Sequence, residues 1–263
     1  MKEKIIYYDN ESNNEFSGIT RNTVKIDKDF KYIRRSLLWK VASFIAYRMI
    51  MTPFAYLWCR LKFGLKIKNK KLLKECKDTG YFIYANHTLM AGDAFIPNLC
   101  VCPKDAYMIV HPDNVSQRFG KSFVMMCGAI PTPTSIDGYR SFLSTIETRI
   151  NEGAAICIYP EAHIWPYYTK IRNFSDTSFA YPVKLNKPVF THTVTYSRRK
   201  LTKIPRVTVY IDGPFFPDRN LPSRRAQRSL RDTVYDTMCK RSELSTYERI
   251  KYIKKNDNRK EEI

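Results

Sequence analysis

The chain has 263 residues, enough for one large α/β domain with an accessory segment. Its net charge of +20 calls for a negative partner surface, whether nucleic acid, anionic lipid headgroups or a phosphorylated co-substrate. The seven cysteines form an odd set without a CxxC pair, and most sit in apolar runs, which argues against a disulfide-stapled secreted scaffold and for reduced core thiols. The polar opening Met1-Lys2-Glu3-Lys4 lacks an apolar signal region, which speaks against export.

Residues 1–30, dense in Asn, Glu, Lys and Asp without an apolar period, are expected to be a loosely packed lead-in. Residues 31–68 invert that character. Leu37, Leu38, Trp39, Val41, Phe44, Ile45, Met49, Ile50, Met51, Phe54, Leu57 and Trp58 lie between basic flanks, with Lys31, Arg34 and Arg35 before and Arg60, Lys62, Lys66, Lys68, Lys70 and Lys71 after. This is the pattern of an element held at an anionic lipid interface, with two tryptophans near its ends. Arg48 and Pro53 interrupt the run, so a broken pair of helices lying in one leaflet fits better than a single span of about twenty apolar residues. The alternative is an amphipathic hairpin buried on the domain.

Residues 69–242 carry the features of a catalytic domain. Tyr81-Phe82-Ile83-Tyr84-Ala85 reads as a strand buried on both faces, and it empties into Asn86-His87-Thr88-Leu89-Met90-Ala91-Gly92-Asp93. In α/β sheets chemistry collects at strand carboxyl ends. A histidine with a following aspartate suits a general base and the carboxylate that orients it. Ala106–Val110 is a second strand, and a helix is expected over 119–127 before the Gly/Pro-rich Gly128-Ala129-Ile130-Pro131-Thr132-Pro133. Tyr139, Phe142, Leu143, Ile146 and Ile150 mark a helix. Ala154-Ala155-Ile156-Cys157-Ile158-Tyr159 then repeats the first arrangement, a buried strand running into Pro160-Glu161-Ala162-His163. Two more strands, 188–196 and 206–211, precede a helix marked by Ala226, Leu230, Val234 and Met238. Strands separated by helix-length segments predict an α/β fold with a mostly parallel central sheet flanked by helices. Residues 243–263 read as a charged C-terminal helix or tail.

Taken together, these blocks resemble the glycerolipid acyltransferases of the lysophosphatidic acid acyltransferase type. The resemblance rests on Asn86-His87 followed by Asp93, on Gly128-Ala129-Ile130-Pro131, on Tyr159-Pro160-Glu161 and on Lys187-Pro188-Val189, in the family's order over residues 75–215. It implies transfer of an acyl group from acyl-coenzyme A or acyl carrier protein to a hydroxyl of a lysophospholipid in phospholipid biosynthesis. His87 would be the general base, Asp93 its orienting carboxylate, and no covalent intermediate or bound cofactor would be required. Backbone N–H groups at the start of the following helix are candidate oxyanion donors, and Asn86, Gly128, Glu161 and His163 are candidate acceptor-site residues. The chain departs from the family in three places. One extra residue separates His87 from Asp93, which Gly92 can absorb in a bulge or turn. Thr132-Pro133-Thr134 supplies no arginine after the second block, and Ala162-His163-Ile164 none after Glu161. Lys170 and Arg172, or Arg140, are candidates to replace these phosphate clamps.

Other features carry less. His111 and His192 read as structural, and no His/Cys/carboxylate set has metal-ligand spacing. Gly120-Lys121-Ser122 is not a phosphate loop, since Val115 stands where the first glycine must be. The many Tyr and Phe beside Lys and Arg suit nucleic-acid stacking, but that reading leaves both strand-end clusters unexplained, so no nucleic-acid partner is expected. The expectation is a membrane-associated O-acyltransferase on the cytoplasmic face. Its rivals are an acyltransferase for another acceptor (a glycolipid, an acylated amine or glycerol-3-phosphate) and a non-catalytic basic binding protein.

Overall fold

The computed structural model describes residues 4–11, 14–16, 24–116, 120–200 and 202–255. In chain order, β1 (Lys4–Tyr8) is followed by a helical stretch made of α1 (Leu37–Phe44), a π-helical segment (Ile45–Met51) and α2 (Thr52–Phe63). Then come β2 (Lys66–Lys68), β3 (Tyr81–Ala85), α3 (Met90–Asp93), α4 (Ile96–Val101), β4 (Ala106–Val110), α5 (Gly120–Met126) and β5 (Ala129–Pro131). The second half supplies α6 (Tyr139–Asn151), β6 (Ala155–Ile158), α7 (Ala180–Leu185), β7 (Val189–Ser197), β8 (Arg206–Phe215), α8 (Ser223–Ser242) and β9 (Ile250–Lys254). The expected helix start at Phe119 and the last eight residues of the expected C-terminal tail lie outside the described residues.

Seven strands form one sheet in the order β2-β8-β7-β3-β6-β4-β5, parallel except where β7 meets β8. The α/β class with a mostly parallel sheet is therefore correct. The two apolar runs sit at its centre because alternate side chains feed two cores. Tyr81, Ile83, Ala85 and Cys157 point to one face, under α2 and α4. Phe82, Tyr84, Ile156 and Ile158 point to the other, under α6 and α8. Each fully buried apolar side chain in these strands contributes about 1.5–3 kcal/mol relative to exposure.

The helical stretch 37–63 is continuous where a break was expected. Its hydrogen bonding widens by one residue through the π segment, where the Thr52 N–H reaches Tyr47 O, and Pro53 falls in the first turn of α2, where the absent N–H costs least. It buries Ala46, Tyr47, Ala55, Cys59 and Phe63, and the Tyr47 hydroxyl donates to Ala106 O at 2.8 Å. The opposite side stays bare: Leu37, Leu38, Val41, Phe44, Met49, Ile50, Phe54, Leu57 and Leu61 are exposed, Leu38 by 81%. No helix among the described residues is long and apolar enough to cross a membrane.

The ends of the chain depart furthest from expectation. β1 pairs in parallel with β9, with Lys4 opposite Ile250 and Tyr8 opposite Lys254, where a loosely packed lead-in and a charged helix or tail were expected. Tyr8, Phe16 and Tyr252 of these ends pack around Trp165 and Tyr168. Further along the expected lead-in, Ile26 is fully buried in the main core. The polar composition hid these contacts because aromatic residues spaced far apart in sequence make them.

Candidate functional site

The carboxyl ends of β3 and β6, adjacent strands in register from Tyr81 opposite Ala155 to Tyr84 opposite Ile158, deliver the two polar loops to one edge of the sheet. After β3 the chain makes a turn and enters the single-turn helix α3. The Asp93 N–H bonds to Leu89 O, which swings the Asp93 carboxylate back toward His87. Asp93 Oδ2 lies 2.8 Å from His87 Nδ1 and accepts the Leu89 N–H at 2.9 Å. Asp93 is 3% exposed, while the His87 side chain keeps 24% of its surface open. A carboxylate on Nδ1 assigns the proton there and leaves Nε2 as the free base. The extra residue in the His–Asp spacing is thus absorbed by a helical turn. Gly92 contributes by lacking a side chain, because a Cβ there would lie 2.3 Å from Leu89 Cδ2.

Tyr159, just past β6, was read from the sequence as part of a block but given no role of its own. Its ring lies against the His87 imidazole with centroids 4.5 Å apart, and its hydroxyl donates to the Asp93 carbonyl at 2.6 Å. Burial keeps the phenol well above its ordinary value, so it acts as a donor that fixes both members of the pair. The signal was available as a polar-tipped aromatic closing a buried strand one step before Pro160-Glu161.

Glu161 and Arg172 take a different role from the one expected. The Glu161 carboxylate accepts the His87 N–H at 3.2 Å, the Arg172 N–H at 3.1 Å and the Arg172 guanidinium at 3.0 Å. Both side chains are almost wholly enclosed, at 2% and 1% exposure. Arg172 Nη2 also bonds to His163 O, and Nη1 to Glu11 O. Burial pushes the Glu161 carboxyl up, and the guanidinium and the two backbone N–H groups pull it back. The arginine expected at a substrate phosphate is instead the counter-ion of a buried carboxylate, because the loop folds it inward under Trp165, whose ring its guanidinium meets at 5.0 Å.

Asn86 is also occupied: its amide makes a two-way bond with Val194 N and O and ties the loop to β7. Gly128 sits at the amino end of β5, across the sheet from His87. Its φ of +92° and the 2.4 Å between a built Cβ and Ala106 O explain the glycine by backbone geometry. His163 is half-buried at the site edge, with Nδ1 3.7 Å from a Glu15 carboxylate oxygen. Lys170 is exposed. The Leu89 N–H, next to the start of α3 where oxyanion donors were expected, is taken up by Asp93, and the His87 N–H by Glu161. His192 lies on β7 in register with Ala85, wholly buried, and burial lowers its imidazole to about 4, so it is neutral. Among the described residues no three His, Cys, Asp or Glu side chains gather as metal ligands.

Neither a protein-family profile nor any curated protein sequence matches the chain. Among solved structures, it is similar to the crystal structure of the 1-acyl-sn-glycerophosphate (LPA) acyltransferase, PlsC, from Thermotoga maritima. The match has 14% sequence identity and a TM-score of 0.50, over 80% of this chain and 95% of that one. The chain therefore has that acyltransferase fold.

Proposed function

We propose that this chain is an acyltransferase that moves a fatty acyl group from a thioester donor, acyl-coenzyme A or acyl carrier protein, to a hydroxyl of a lysophospholipid. The observation that carries the reading is the His87–Asp93 pair at 2.8 Å on a strand end of this fold, with the imidazole partly exposed. An alcohol is a weak nucleophile near neutral pH. His87 Nε2 takes its proton as the oxygen attacks the thioester carbonyl, and the tetrahedral adduct collapses by expelling the thiolate, which the imidazolium reprotonates. Asp93 holds the tautomer and stabilises the imidazolium. Glu161 and Arg172 position the His87 backbone, and the exposed Lys170 is a candidate cation for an anionic acceptor.

The bare side of α1 and α2 supports docking to an anionic lipid surface. Met90 of α3 and Phe123 of α5 are exposed as well, and Met90 stands three residues beyond His87. An acceptor with one acyl chain would enter from such a surface without crossing water. A non-catalytic binding role gives no account of the assembled His–Asp pair.

His87→Ala is expected to lower the transfer rate by at least about 10²-fold with an acyl-coenzyme A donor and a lysophospholipid acceptor, with the circular dichroism spectrum unchanged. Undiminished transfer in that variant would refute the assignment. Replacing Leu37, Leu38 and Phe44 by Ser should release the chain from anionic vesicles in sedimentation, and equal pelleting would refute the docking surface.

A further inference from the structure

A second concave site lies beyond the carboxyl end of β7. The connection between β7 and β8 forms a cavity of about 260 Å³ lined by Arg198, Arg199, Lys200, Lys203 and Tyr247. Arg199 is already committed, its Nη1 donating to Lys62 O at 2.8 Å at the end of α2. Arg198, Lys200 and Lys203 are exposed, and no carboxylate among the described residues pairs with any of the three. Three unmatched cations around a hollow attract a group with more than one negative charge.

This site is mechanically tied to the catalytic loop. Tyr196, two residues before Arg198, bonds through its hydroxyl to Thr88, the neighbour of His87. Its carbonyl accepts the Thr246 N–H, which seats Tyr247 beside the cavity. Asn86 fixes the level of the general base at Val194. Four residues of extended chain from Val194 to Arg198 span roughly 13 Å.

That separation selects among phosphate ligands. In a glycerophosphate acceptor the phosphate is only a few bonds from the attacking hydroxyl, so it stays close to His87. In a nucleotide thioester the phosphates lie at the far end of the flexible pantetheine arm. We infer that the Arg198–Lys200–Lys203 cavity binds the phosphates of a nucleotide-linked acyl donor while its thioester lies at His87. The inference rests on the acyl-transfer reading and narrows it, because a protein carrier offers a single phosphodiester and no nucleotide. Tyr247 adds an aromatic face beside the cations, a surface on which a nucleobase can stack.

The test uses the full chain and adenosine 3′,5′-bisphosphate as the probe, by isothermal titration, with the exposed pair Lys200→Glu/Lys203→Glu as the variant. The wild type should bind the bisphosphate, and the variant should bind it at least about tenfold more weakly. In the variant, KM for the acyl-coenzyme A donor should rise by a similar factor, with kcat, acceptor KM, melting temperature and vesicle binding unchanged. Bisphosphate binding that is lost in the variant supports the cavity even if no acyl transfer is detected, so the two readings fail separately. Absent binding by the wild type, or equal binding by the variant, overturns the inference. Loss of anionic-vesicle binding with donor KM unchanged also overturns it, and assigns the cations to a lipid headgroup instead.

Discussion

The loop after β3 and the loop after β6 leave neighbouring strands at the same edge of one sheet, and each brings a carboxylate to a basic partner. In the first, His87 and Asp93 are six residues apart, and the imidazole keeps an open side. In the second, Glu161 and Arg172 are eleven apart and both are sealed. The difference is one of access. A half-open pair can exchange a proton with a ligand, whereas a sealed pair can only hold backbone in place, here the His87 N–H. Residue type alone does not assign a charged group to chemistry or to scaffold; the walls around it do.

The division can be broken by substitutions on either side. Asp93→Asn should have the largest effect, lowering kcat by between about 10²- and 10⁴-fold through loss of the correct tautomer, while urea unfolding changes little. Arg172→Met should do the reverse in kind. It strands the Glu161 charge in the interior and costs about 3–5 kcal/mol of stability, and the double change Glu161→Leu/Arg172→Met should recover much of that loss in the same urea titration. A destabilised Asp93→Asn or an undisturbed Arg172→Met would erase the contrast.

A third measurement uses acid. His192 beside β3 has its imidazole held at about 4 in the fold against an ordinary 6.5, so the folded chain binds fewer protons than the unfolded chain between those values. Its contribution is therefore complete above about pH 6.5, falls as pH drops toward 4, and amounts to about 3 kcal/mol at most. His192→Leu should flatten stability across that window, and a slope identical to wild type would place the acid sensitivity elsewhere. The smallest expected effect is that of Tyr159→Phe. It removes one hydrogen bond to the Asp93 carbonyl but keeps the ring on His87, and should cost about 0.5–1.5 kcal/mol, visible as a drop of up to about tenfold in kcat.

Where an interaction was short-range the sequence announced it. β3 and β6 stood out as apolar runs because both their faces are buried, and His87 announced Asp93 because one turn of chain joins them. Arg172 stood out only as a candidate phosphate clamp, since an arginine among Lys170, Asn173 and Ser175 has the look of an accessible cation, and only the fold brings Glu161, Glu11 and Trp165 around it. β2 is three residues with lysines at both ends, too short to show a period. The substrate-facing reading of Asn86 and Gly128 failed to foresee what the backbone itself demands at those points: a bond to β7 in one case and a positive φ in the other.

The pairing of β1 with β9 bears on how the protein is made. Lys4–Tyr8 is made long before its strand partner Ile250–Lys254, so this closure joins segments far apart in sequence and carries a correspondingly large loop-closure cost. Residues at or near both strands reach the loop after β6: the Trp165 indole donates to Asn14 O and the Tyr252 hydroxyl to Pro166 O. The β6 loop that steadies the His87 backbone is thus braced from outside by two segments that lie far from it, and from each other, along the chain.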